Sequence, residues 1–126
     1  MEEKEQSRYK QGLKKLTEVH GQAGVDTTAA LGDLGRYIVE FAYGDIYSRQ
    51  GLSLRERAIA TMALLTALGG REPQLEAHFH GALNVGLTPS EIEEIILQTI
   101  PYAGFPTAMN AANLLKKVTA AETDIS

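Results

Sequence analysis

A glutamate, Glu56, and a histidine, His78, are set in a stretch that is otherwise strongly apolar, LSLRERAIATMALLTALGGREPQLEAHFHGALNVG over residues 52–86. Ionisable groups against apolar faces are expensive to keep unless they are paired or used. A carboxyl and an imidazole can move a proton to or from a substrate, and a nearby arginine can hold an anion. Of the arginines in the stretch, Arg71 lies in a Gly-rich turn between two expected helices, where it can meet an anion beside a helix N-terminus. Arg55 and Arg57 read as surface charges.

Each of these residues also has a bland reading. Ser53 followed three residues later by Glu56 matches a capping box, which would give the carboxyl a purely local job while leaving an oxygen free for a cleft. Along the helix expected from Pro73 to Gly86, a rotation of about 100° per residue puts Leu75, Phe79, Ala82 and Leu83 on one stripe, with His78 at its edge. A satisfied, partly buried histidine is the ordinary outcome there. His80 falls on roughly the opposite side, near Glu76 and Asn84, as a solvated or interfacial side chain, so the two cannot share a metal ion on a regular helix. His20 stands beside a glycine with no partner evident in the sequence. Tyr43, Tyr47 and Tyr102 are candidate hydrogen-bond donors that could equally be interior packing.

The composition limits the possible chemistries. The chain of 126 residues has the length of one domain, residues 1–126, with an N-terminal helical arm over about 1–22. A formal net charge of -4 argues against non-specific nucleic-acid binding, which needs a basic surface. The pairs Lys14-Lys15 and Lys116-Lys117 read as solvated helix faces. There is no cysteine, hence no disulfide, thiolate metal site or thiol nucleophile. Three scattered histidines make no ligand cluster, no GxGxxG or Walker pattern suggests a nucleotide, and neither a metal nor another cofactor is expected. No apolar run approaches membrane-spanning length, and the charged start MEEKEQSRYKQ carries no leader pattern, so a cytoplasmic location and no membrane partner are expected.

The elements that must position these residues read as helices throughout, with no strand-like alternation, giving an all-α fold of about six helices. A thinly striped helix covers 2–20, stopped by Gly21 and Gly24, with Asp26-Thr27 as a fresh cap. A second runs from Thr28 to about Tyr43 on a stripe of Leu31, Leu34, Ile38 and Phe41, and Gly44 is the expected C-cap. After a loop over 45–51, a helix carrying Leu54, Ala58, Met62, Leu65 and Leu68 stops at Gly69-Gly70. Thr88, Pro89 and Glu91 open the next one, lined by Ile92, Ile95, Ile96 and Ile100, and Pro101 should kink or end it. YAGFP, 102–106, reads as a connector to a last helix over about 107–121 with a face of Ala108, Ala111, Ala112, Leu115 and Val118, before a frayed tail. The thin stripe and Ala-rich faces suggest burial between subunits.

The blocks FAYGDIYSRQGLSLRERAIATMALLTALGG and HFHGALNVGLTPSEIEEIILQTIPYAGFPTAMNA resemble, in order, those of the carboxymuconolactone decarboxylase family, with its AhpD-like fold, over about residues 35–118. The resemblance implies a helical bundle around a central hairpin, assembled as a homo-oligomer, a trimer or hexamer. The AhpD branch of the family reduces peroxides with a Cys-x-x-Cys-x-x-x-His motif. Here Arg71 and Gln74 occupy the cysteine positions, which excludes thiol peroxidase activity. The 4-carboxymuconolactone decarboxylase branch lacks those cysteines, and its reaction gives the enol-lactone and CO2 in protocatechuate catabolism without a cofactor. By this resemblance His78 is the proton donor, Glu56 orients it or relays to it, Arg71 binds a substrate carboxylate, and Tyr102 and His80 contact substrate. The alternatives are a related lactone hydrolase or isomerase, and a non-catalytic oligomer that binds a small molecule.

Overall fold

The computed structural model describes residues 2–125, with side chains placed over 7–121. The described residues form six α-helices and one π-helix and contain no strand, as the all-α reading expects. None of these helices is long and apolar enough to cross a membrane. The chain divides after Leu54 into two compact units.

The first unit holds α1 (Glu2–Ala30), α2 (Asp33–Tyr37) and the π-helix (Ile38–Ile46). One side of α1 is buried at Gly12, Leu16 and Val19, and Leu16 packs with Val39 and Tyr43 of the π-helix. Gly12 lets the two backbones nearly touch, since a Cβ there would fall 2.0 Å from the Val39 carbonyl oxygen. The Arg8 guanidinium adds a two-pronged bond to Asp45, at 3.0 and 2.7 Å.

Several sequence expectations fail in this unit. Gly21 does break α1, with φ 64° and ψ -156°, but the helix resumes at once. Asp26 and Thr27 lie inside it rather than capping a new one, and the Thr27 hydroxyl donates to the Ala23 carbonyl at 2.8 Å. The helix expected over 28–43 is interrupted at Leu31-Gly32 and finishes in π geometry, with the Tyr47 amide donating five residues back to Ala42. The wider π turn rotates the faces, so Val39, Glu40, Tyr43 and Gly44 are buried while Phe41 is 60% exposed; Leu31 in the preceding turn and Leu34 in α2 are 46% and 60% exposed. Gly44 therefore does not end the helix; it sits inside it where a Cβ would come 2.7 Å from the Arg8 carbonyl oxygen.

The second unit holds α3 (Leu54–Leu68), α4 (Glu72–Asn84), α5 (Pro89–Ala103) and α6 (Phe105–Ile125). Its core joins Met62 of α3, Leu75 and Phe79 of α4, Ile92 and Ile96 of α5, and Ala111 and Leu115 of α6. Extended close helix pairing occurs between α5 and α6 and between α4 and α6. Gly69 and Gly70, at φ 67° and 68°, turn the chain from α3 into α4 in a conformation that side chains with a Cβ rarely adopt. Thr88 and Glu91 form the expected capping box on α5.

Two boundaries differ from the sequence reading. Pro101 does not end α5, which runs two residues further, and the Gly104 amide still donates to the Ile100 carbonyl at 2.9 Å to close the last turn. The stop is Gly104, at φ 90°, and α6 begins directly after it, so the expected five-residue connector shrinks to one residue. Leu68, expected on the buried stripe of α3, is 61% exposed, and the fourth inward position is Thr66. The side chains of the tail expected to fray lie outside the described residues.

Candidate active site

All five sequence-predicted site residues belong to the second unit. Glu56 stands in the first turn of α3, directly after the helix start, and is exposed. His78 and His80 lie midway along α4 and are both half-buried. The α3–α4 hairpin thus carries both the carboxyl and the imidazole.

Arg71 occupies the N-cap position of α4, but its side chain makes no capping bond and its Nη1 donates instead to the Gly69 carbonyl at 3.0 Å. That leaves an exposed guanidinium beside a helix start that the N-cap side chain does not cap, an arrangement suited to an anion. Tyr102 projects from the last turn of α5 and is 85% exposed. A groove of about 330 Å³ lies between α5 and α6, lined by Ile96, Leu97, Ala112 and Leu115 with Glu93 and Lys116 at its polar margin; none of the five residues lines it. Among the described residues, no three His, Cys, Asp or Glu side chains are grouped as a metal site would need.

One charged residue near the site has a role the sequence did not disclose. Arg55, read as a surface charge, donates from Nη1 to Glu91 Oε1 at 3.2 Å and to the Gly86 carbonyl at 3.4 Å, while its Nη2 bonds Glu91 Oε2. Glu91 also accepts from the Thr88 amide at 3.0 Å, as its half of the capping box. The guanidinium, and after it the Thr88 amide, hold the Glu91 carboxyl well below the usual range, at about 2. Arg55 and Glu91 are far apart in sequence, so no local pattern could have joined them.

In the first unit, His20 proves to have a partner: its Nε2 meets the Tyr43 hydroxyl at 2.8 Å, with the rings edge to face. Tyr43 in turn stacks on Tyr47 with centroids 4.7 Å apart. Burial lowers the imidazole pKa and raises that of the Tyr43 phenol. Tyr43, a candidate hydrogen-bond donor from sequence, thus finds its partner in the first unit, whereas the five candidate site residues belong to the second.

The profile of the carboxymuconolactone decarboxylase family matches residues 32–117, which cover the expected blocks and all five candidate residues. The chain is 38% identical over 119 residues to a 4-carboxymuconolactone decarboxylase of Acinetobacter baylyi, covering 90% of this chain and 88% of that protein. It is 34% identical over 82 residues to a nitrosuccinic acid decarboxylase of Metarhizium robertsii, 64% of this chain and 55% of that one. An uncharacterized 15.0 kDa protein of Paracoccus denitrificans is 32% identical over 88 residues, 69% of this chain and 66% of its own. The all-helical architecture, the hairpin bearing Glu56 and His78, and a profile match across both units agree: this chain belongs to the carboxymuconolactone decarboxylase family.

Proposed function

We propose that this protein is a cofactor-independent carboxy-lyase acting on 4-carboxymuconolactone or a closely related lactone acid, releasing CO2 and leaving the enol-lactone. The observation that carries the reading is the likeness to a 4-carboxymuconolactone decarboxylase along nearly the whole chain. The second named relative supports the broader class. Nitrosuccinic acid and the lactone acid share a carboxylate to lose, an electron-withdrawing group that accepts the electron pair, and a second carboxylate by which to be held.

In the lactone acid, the bond to the departing carboxylate breaks, CO2 leaves, and the pair runs through the ring onto the lactone carbonyl oxygen. A proton delivered to carbon completes the reaction. His78 gives that proton, and Glu56 orients the ring or relays the proton to it. Arg71 grips the acetate carboxylate. Gripping the departing carboxylate instead would stabilise the ground state and slow the chemistry. His80 and Tyr102 complete the substrate contacts, and Tyr102, exposed in a single chain, serves once a second subunit or the substrate covers it.

The same proposal treats 1–126 as one domain, supported by a family profile that runs through both units. It takes the protein to be a cytoplasmic homo-oligomer, a trimer or hexamer, of aromatic catabolism, in keeping with the apolar Leu64, Leu68, Phe105 and Met109 left exposed in the second unit.

The test is incubation with 4-carboxymuconolactone while CO2 is followed. Release is expected, and it should be abolished in His78→Ala with helicity and oligomer size unchanged. Arg71→Ala should lose affinity for an unreactive dicarboxylate analogue. Lactone opening without CO2 would make the protein a hydrolase, and tight binding without turnover would make it a binding protein.

A further inference from the structure

The α3–α4 hairpin is fastened at both ends. At one end the chain itself turns at Gly69 and Gly70. At the other, Arg55 in the first turn of α3 bonds the Gly86 carbonyl just past α4 and forks onto Glu91 in the first turn of α5. Glu91 is itself anchored, accepting from the Thr88 amide at 3.0 Å while the Thr88 hydroxyl accepts from the Glu91 amide at 3.1 Å. The guanidinium therefore reaches a fixed carboxylate, not a swinging one.

This fastening bears on α3 in particular. Extended close backbone pairing in the unit joins α6 to α4 and α5. α3 is held by the insertion of Ala58 and Met62 into the core, further along the helix than its first turn. Glu56 adjoins Arg55, about 100° round the helix axis, so a roll or splay of that turn carries the carboxyl with it.

We propose that Arg55 is a positioning residue for the decarboxylation, setting the rotation and spacing of the first turn of α3 against α4 and so the place of the Glu56 carboxyl relative to the His78 imidazole. The inference rests on the reading above, in which these two groups share the proton step. A misplacement of about 1 Å costs a catalytic arrangement up to roughly 10²-fold in rate. Lysine cannot replace the contact in full, because two parallel N–H groups match the two Glu91 oxygens and an ammonium offers only a point charge.

The experiment measures kcat and KM of Arg55→Ala, Arg55→Lys and Glu91→Gln, with helicity as a control, and the NMR titration midpoint of His78 in each and in Glu56→Gln. Arg55→Ala should lose about 10- to 100-fold in kcat with KM changed by less than about twofold, a loss confined to the chemical step. Arg55→Lys should recover part of it, and Glu91→Gln should fall with Arg55→Ala. The His78 midpoint should move in Arg55→Ala in the same direction as in Glu56→Gln. Should the wild type prove inactive on the lactone acid while that shared movement of the midpoint is seen, the positioning role stands and the assigned reaction falls. A His78 midpoint unmoved in Arg55→Ala, or unmoved in Glu56→Gln, overturns the positioning role whatever the turnover.

Discussion

Replacing Thr66 by valine should make the protein more stable, although Thr66 is among its most buried residues. It is 2% exposed on the inward face of α3, and its hydroxyl has no hydrogen-bond partner. A buried hydroxyl that has given up water without a replacement costs about 1–3 kcal/mol. Valine has nearly the same shape, keeps the β-branch and puts a methyl group where the hydroxyl stood. The expected gain is about 1–2 kcal/mol, the lower part of that range, because neighbouring atoms still have to accept a slightly larger group. With an unfolding entropy of roughly 2.1 cal/mol/K per residue over the 126 residues, this raises the melting temperature by about 4–8 °C. Thr66→Ser, which keeps the hydroxyl and deletes the methyl, should lose about 1 kcal/mol instead. Urea titration with unchanged slope and a thermal melt of both variants give the comparison. A less stable Thr66→Val would show that the hydroxyl is bonded in the folded protein, and the reasoning would be wrong.

Three further outcomes follow from the same geometry. The stability of the first unit should fall below about pH 6.5, because burial lowers the His20 pKa. The neutral ring is then the form that folds, and its contribution is complete above the unfolded value and lost as pH drops towards the folded one. Charged pairs on the elements packed there include Arg8–Asp45, Lys15–Glu18 and Arg36–Glu40, and hydrogen exchange of α1 in wild type and His20→Gln between pH 7.5 and 5.5 isolates the histidine. Gly12→Ala should destabilise the crossing of α1 with the π-helix by about 1–3 kcal/mol or more, read as a lower denaturation midpoint, since its Cβ would collide with the Val39 carbonyl. Thr88→Ala removes the capping box of α5 and should cost about 1 kcal/mol, measured in the same way; no loss would mean that the Arg55–Glu91 fork suffices to start the helix.

The two halves of the chain were not equally readable. Along α5 and α6 the 3.6-residue repeat picks out the buried Ile92, Ile95, Ile96, Ala108, Ala111, Leu115 and Val118, because these helices are regular, but it also takes in the half-buried Ile100 and Ala112 and passes over the buried Thr99, whose hydroxyl donates back to the Ile96 carbonyl at 2.7 Å. In the first unit the same repeat chose Leu31, Leu34 and Phe41, all of which are exposed: the turn at Leu31-Gly32 breaks the repeat, and from Ile38 on a π-helix turns less per residue than the rule assumes. A proline was given more weight than a glycine at the end of α5, and Gly104 made the break. The candidate site was legible as positions on elements: Glu56 at the start of one hairpin helix, His78 along the other and Arg71 between them. The Arg55–Glu91 and His20–Tyr43 contacts were not, since each joins residues many turns apart and depends on how helices pack.

The π-helix has a consequence for how this chain can vary. Because the i→i+5 turns of Ile38–Ile46 hold more residues than an α-helix of the same span, deleting a single residue there would let it relax towards the ordinary helical pitch. Everything beyond the deletion would then swing by about 100°, taking Tyr43 and Gly44 off the surface of α1. Phe41, facing outward, should accept many replacements, yet the segment should tolerate no change of length. A library scan of this stretch should therefore be permissive to substitution at the exposed Phe41 and Ile46 and intolerant of every one-residue insertion or deletion.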